Sequence, residues 1–183
     1  MNGLKFAFGF IAVLWAVFLL DYIVPINFNE YGMVPRTSSG TIGIFTMHFL
    51  HANWQHLIGN SLPLLVLLIL LAAGYPQRKI QITVWLMIGT GILLWACGRT
   101  AMHLGASGLV YALISFLFVF SIREKRLWPF LISLLILVVN WSSIISGILG
   151  SDPRISWDGH LLGAIAGIVI ALLDTPINQK EII

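Results

Sequence analysis

Residues 51–73 read HANWQHLIGNSLPLLVLLILLAA, a polar, histidine-bearing opening that passes directly into an aliphatic stretch. No Asp, Glu, Lys or Arg interrupts it. Hydrocarbon offers a backbone no hydrogen-bond partner but its own, so an uncharged run longer than about 18 residues crosses a bilayer as an α-helix. The stretch therefore predicts a membrane-spanning helix whose first turns carry polar groups. Such groups are candidates for function, because a polar side chain without a partner in hydrocarbon is costly.

Outward from this span (52–73), apolar segments at 4–24, 80–97, 107–122, 127–147 and 160–173 bring the expected number to six. Of the 183 residues, 58% are hydrophobic and 9% charged, against about 25% charged in a soluble domain. The mean hydropathy is +0.95. The seventeen charged residues cluster between the apolar segments. These features exclude a soluble globule and predict an all-α integral membrane protein, a single six-transmembrane-helix bundle over residues 1–183 with no soluble appendage.

An even number of spans puts both termini on one side. Lys5, Arg78, Lys79, Arg123, Lys125, Arg126 and Lys180 fall on that side and Arg36, Arg99 and Arg154 on the other, so both termini are expected in the cytoplasm. The pI near 9.3 raises nucleic acid as a partner, but the densest basic run, Arg123 to Arg126, lies between two apolar segments and reads as an orientation signal. Cys97 is a single cysteine in an apolar stretch and forms no intrachain disulfide. Lys5 and the uncharged run after it resemble a secretory signal, yet Asp21-Tyr-Ile-Val-Pro follows without a cleavage site, so the first helix is expected to stay. The connection at 25–51 is too long for a turn. Its breakers Pro25, Gly32, Pro35 and Ser38-Ser-Gly alternate with Phe28, Tyr31, Ile42 and Phe45, which suits a segment lying partly in the membrane interface.

Polar residues gather at three helix starts: His51 to Asn60, Gly105-Ala-Ser107-Gly108, and Asp158-Gly-His160. All three face the outer side. Counting from the cytoplasmic ends at 1.5 Å per residue places Ser107 roughly 24 Å and His160 roughly 21 Å up, nearly level and below the outer surface. Serine is a weak nucleophile until a base accepts its proton, so a serine and a histidine at one depth form a candidate pair. Gly108 and Ala112, with Gly163 and Gly167, form small-residue faces on which two helices can approach backbone to backbone. His160, Gly163 and Gly167 share one face. Tyr111 lies one turn beyond Ser107 and can stack on the imidazole. Asp158 precedes the helix and reads as its N-cap, which leaves no carboxylate to orient His160 and predicts a dyad. The Ser107 backbone N–H, with His56 and Asn60 four residues apart on one face, supplies candidate donors for an oxyanion. His48 and His51 read as structural, and Trp15, Trp54, Trp128 and Trp141 as interfacial anchors.

These motifs, His51-x4-His56-x3-Asn60, Gly105-x-Ser107-Gly108 with Tyr111, and His160-x2-Gly163-x3-Gly167, resemble those of the rhomboid intramembrane serine proteases, in the same order and on the same helices. The resemblance covers nearly the whole chain. It implies Ser107 as nucleophile, His160 as general base, Ser107 N–H with His56 and Asn60 as oxyanion hole, and Tyr111 stacked under His160. It further implies a 25–51 segment packed sideways in the membrane, and substrate entry gated by span five with the cap at 149–157. Two departures stand out. Many members carry Trp-Arg where Ile42-Gly43 stands, and many carry a Glu at the cytoplasmic end of span two, where this chain has Ala72-Ala-Gly-Tyr-Pro. The first puts the detailed fold of the 25–51 segment in question.

Two other classes compete. His48, His51, His56, His103 and His160 all lie toward the outer half and imidazole binds zinc or haem, but there is no His-Glu-x-x-His and no acidic residue deep enough to serve as ligand. A transporter would show an ionisable relay or an inverted repeat, and neither is present. A non-catalytic binder of transmembrane segments would not need both Ser107 and His160. The expectation is thus a cofactor-free, metal-free serine endopeptidase of a prokaryotic plasma membrane. Its site opens outward, and its partners are the lipid bilayer and single-span or polytopic membrane-protein substrates, with no nucleic acid.

Overall fold

The computed structural model describes residues 2–139 and 156–174. The end of span five, Trp141, Arg154, Lys180 and most of the cap at 149–157 lie outside the described residues. Among the described residues seven α-helices follow one another: α1 (Gly3–Ile23), a single turn α2 (Gly43–Thr46), α3 (Trp54–Gly74), α4 (Lys79–Cys97), α5 (Ser107–Arg123), α6 (Leu127–Val139) and α7 (Trp157–Leu173). Among the described residues there is no strand, only an isolated antiparallel bridge between Met33 and His103.

Helices α1, α3 and α4 are long and apolar enough to cross a membrane. Their 21, 21 and 19 residues correspond to about 30 Å of rise, the thickness of a hydrocarbon core. Helices α5 and α7, of 17 residues each, are shorter and also apolar, as are the described residues of α6. Caps define two of the starts: Asn2 Oδ1 accepts the Leu4 N–H, and Asn53 Oδ1 accepts the His56 N–H. Large apolar side chains such as Phe8, Leu20, Leu62, Trp85, Leu135 and Leu172 lie exposed around the bundle, a surface suited to lipid.

Helix α5 is the central element, touching α3, α4, α6 and α7. It is buried nearly all round, through Leu109, Ala112, Leu113, Phe116 and Leu117. Against it lie Leu57, Leu64 and Leu71 of α3 and Leu86 of α4, with Leu14 of α1 completing the same core. At one end of the bundle Asp174 pairs with Arg78 at 2.5 Å, and the Arg123 guanidinium donates to the carbonyls of Ala171 and Asp174, satisfying the free acceptors at the end of α7.

The opposite end is built by the segment 25–51. The Arg36 N–H donates to the Trp95 carbonyl at 3.0 Å, and the Arg36 guanidinium to Gly98 O at 2.7 Å and Thr100 Oγ1 at 2.9 Å. The Trp95 indole returns a bond to Thr37 O at 2.9 Å. One arginine thus caps the C-terminus of α4 and ties the segment to it. Ile42-Gly43, standing where many members of the resembled family carry a Trp-Arg pair, serves close approach. A Cβ on Gly43 would meet the Met33 backbone, and one on Gly91 of α4 would meet the Ile44 carbonyl.

Most helix boundaries fall within two residues of those expected, but α7 is an exception. It starts at Trp157, three residues before His160. Asp158 is therefore in the first turn and is not the N-cap, a position held by Ser156 without a side-chain cap bond. The carboxylate turns away from its own helix because the Arg99 N–H engages it at 2.7 Å.

Candidate active site

Ser107 is the first residue of α5. The turn that delivers it contains Gly105 at φ +110°, a conformation that a side chain strains. A Cβ at Gly105 would also collide with the His56 imidazole. The Gly105 N–H donates to Met47 O at 2.9 Å, and the Ala106 N–H to His51 Nε2 at 3.4 Å. Burial, and then the neighbouring His56, lower the pKa of His51 to about 4. Its ring is thus neutral at physiological pH, and a neutral imidazole has the acceptor nitrogen this bond requires. His48, whose pKa burial also lowers to about 4, bonds Met87 O through Nε2 at 3.1 Å.

Across from Ser107, His160 Nε2 lies 2.9 Å from Ser107 Oγ. The Tyr111 ring stacks on the imidazole, with centroids 4.4 Å apart and planes inclined by 28°. His160 Nδ1 is buried and has no hydrogen-bond partner among the described residues.

This distance is set by backbone contact between α5 and α7. A Cβ on Gly163 would fall on the Gly108 carbonyl oxygen, and one on Gly167 on the Ala112 carbonyl and the Ser115 hydroxyl. Ser115 Oγ reaches across to Ala164 O at 2.8 Å. Gly108 itself faces the Gly159 carbonyl.

His56 packs on Gly105 and meets the His51 ring edge-on, with centroids 5.1 Å apart. Asn60, one turn further along α3, is buried, and its amide Nδ2 has no acceptor among the described residues. Met47, Leu94, Gly105, Gly108 and Gly159 line a small cavity that reaches Ser107. The arrangement brings a hydroxyl and an imidazole into contact, with the half-buried His56 ring and the buried Asn60 amide on the helix beside the turn.

Three contributors escaped the sequence reading. Arg99 was read only for orientation and His103 only as a possible metal ligand, yet both bind Asp158 or its neighbour Ser156. Ser115 was not singled out. An acidic residue two positions before a histidine, in an otherwise apolar helix, demands a partner, and that demand was the available signal. Among the described residues no group of three or more His, Cys, Asp or Glu is placed to hold a metal.

Residues 38–177 match the family model of the Rhomboid domain. The chain is 37% identical over 180 residues to uncharacterized proteins of Mycobacterium bovis and Mycobacterium tuberculosis, covering 93% of this chain and 75% of theirs. It is 27% identical over 162 residues to a protein of Acanthamoeba polyphaga mimivirus that is named as a rhomboid protein, covering 86% of this chain and 85% of the relative.

Proposed function

This chain belongs to the rhomboid family, and from that premise we propose that it is an intramembrane serine endopeptidase acting through a Ser107–His160 dyad. The observation that carries the reading is the 2.9 Å contact between Ser107 Oγ and His160 Nε2, made between two apolar helices.

In the proposed reaction, neutral His160 takes the Ser107 proton as Oγ adds to the scissile carbonyl carbon. The electron pair of the C=O bond moves to oxygen, and the resulting oxyanion is held by the Ser107 N–H, His56 and Asn60. Collapse breaks the C–N bond, with the His160 imidazolium protonating the leaving amine and an acyl-Ser107 ester remaining. Water, deprotonated by His160, then adds to the ester, and collapse breaks the C–Oγ bond as the imidazolium returns that proton to Ser107 Oγ, releasing the carboxylic acid and restoring serine and neutral histidine. Tyr111 keeps the imidazole plane fixed through both halves.

We place the helices as six spans with both termini in the cytoplasm of a prokaryotic cell and the Ser107 end facing outward. Substrates are membrane proteins cut near the outer end of a transmembrane helix, where Gly or Pro helps the segment unwind and expose its carbonyl. The test is cleavage of a single-span substrate by the detergent-solubilised protein, comparing wild type with Ser107→Ala and His160→Ala, with and without a chelator. Loss in both variants and indifference to chelator is expected. Activity persisting in Ser107→Ala would overturn the reading.

A further inference from the structure

Asp158 is an acidic residue in an apolar helix, two residues before His160. Its side chain is 5% exposed, and a charge so placed needs partners. It finds them on the loop between α4 and α5. The Arg99 backbone N–H donates to Oδ2 at 2.7 Å and the Arg99 guanidinium to Oδ1 at 3.3 Å, with His103 Nε2 lying 3.6 Å from Oδ2. Ser156 Oγ, on the α7 side, sits 2.7 Å from His103 Nδ1 and 3.4 Å from Asp158 Oδ1. His103 Nε2 is also 3.0 Å from the carbonyl of Arg99, and the Arg99 guanidinium lies over the Trp157 ring. The loop carrying these partners ends, four residues after His103, at Ser107.

Both members of the dyad therefore hang from one cluster built around the buried Asp158 and His103. His160 follows it on α7, and Ser107 follows it on the loop. No carboxylate holds the imidazole directly, since His160 Nδ1 has no partner among the described residues. The Oγ to Nε2 distance thus depends on where the two backbones are held. Resting on the protease reading above, we propose that Asp158 is a positioning residue. With Arg99, His103 and Ser156 it forms a latch that locks the start of α7 to the Ser107 loop and sets the dyad distance.

The test uses the full chain, with Asp158→Ala, Asp158→Asn and Arg99→Ala read in two assays. One is kcat and KM on a transmembrane substrate, the other the rate of Ser107 labelling by a small fluorophosphonate, which needs the dyad but no substrate docking. Asp158→Ala is expected to lower kcat and the labelling rate together by about 10- to 100-fold, with KM within about two-fold of wild type. Because the shortest bond is to the Arg99 backbone, Arg99→Ala is expected to lose less than Asp158→Ala. Asp158→Asn, whose amide oxygen still accepts that N–H, is expected to fall between, and it keeps the test decidable if the alanine variant misfolds. Asp158 variants with a lowered unfolding temperature but wild-type kcat and labelling rate per folded molecule would overturn the latch. A wild-type chain that neither cleaves nor labels would bring down the protease reading itself, an outcome distinct from failure of the latch.

Discussion

Gly163→Ala perturbs the backbone contact that fixes the separation of α5 and α7, the helices carrying Ser107 and His160. The added methyl falls on the Gly108 carbonyl oxygen, a backbone atom in a buried helix that no rotamer change can move aside. To reach ordinary van der Waals separation α7 must retreat by roughly 1 Å. The 2.9 Å bond from Ser107 Oγ to His160 Nε2 would then lengthen to about 4 Å, outside hydrogen-bond range. Loss of a positioned base is worth about 10²- to 10⁴-fold in rate, while overpacking costs about 1–3 kcal/mol in stability. Gly163→Ala is therefore expected to cut kcat by at least about 10²-fold while leaving most molecules folded. Gly9→Ala is the control, since a Cβ there meets nothing within 4 Å. On a helix it should be neutral or stabilising by up to about 1 kcal/mol. The assay is single-turnover cleavage of a transmembrane substrate alongside thermal unfolding in the same detergent. A Gly163→Ala protein with undiminished kcat would refute the claim that backbone contact between α5 and α7 positions the dyad.

Two further outcomes follow from the proposed site. Asn60→Ala and His56→Ala should each lower kcat by about 10²-fold with little change in KM, as expected of donors that act on the oxyanion rather than on the ground-state carbonyl. An equal rise in KM at constant kcat would assign them to substrate binding instead. His48 and His51 are held neutral by burial, their pKa values lowered from 6.5 to about 4, so the unfolded chain binds protons there more readily than the folded one. The stability they contribute is complete above about pH 6.5 and is lost as pH falls toward 4. The unfolding temperature should drop across that window, and His51→Gln should flatten the drop. An unfolding temperature independent of pH from 7 to 4 would contradict this.

Helix positions were legible because length and charge decide them in a membrane. An apolar run has few places to end, and the limits of α3, α4 and α5 follow from Asn53, Arg78 and Arg123. The facing of Ser107, Tyr111, His160, Gly163 and Gly167 followed from helical period alone, and the structure brings these residues together. Asp158 was misread for the opposite reason. A local rule, that an acidic residue before a helix caps it, lost to a backbone donor 59 positions away. Arg36 was likewise invisible as a cap for α4, because its acceptors at Gly98 and Thr100 are more than 60 positions distant. Sequence spacing reports which residues share a face, but not which loop carbonyl or amide will lie beside them.

These long-range ties bear on how the proposed dyad, which has no orienting carboxylate among the described residues, is held in place. In a triad the third residue holds the imidazole by its second nitrogen, whereas His160 Nδ1 has no such partner among the described residues. Orientation here rests on three contacts of different kinds: the Tyr111 stack for the ring plane, the Gly163 and Gly167 backbone contacts for helix separation, and the Asp158 latch for the height of α7 along α5. Each constrains a different coordinate, so loss of one should not be recovered by the others. Combining Gly163→Ala with Asp158→Ala should then cost no more than disrupting the dyad outright, because once Oγ and Nε2 are out of contact further displacement removes nothing more. A double variant whose loss equals the product of the single losses would mean that the two contacts serve separate steps.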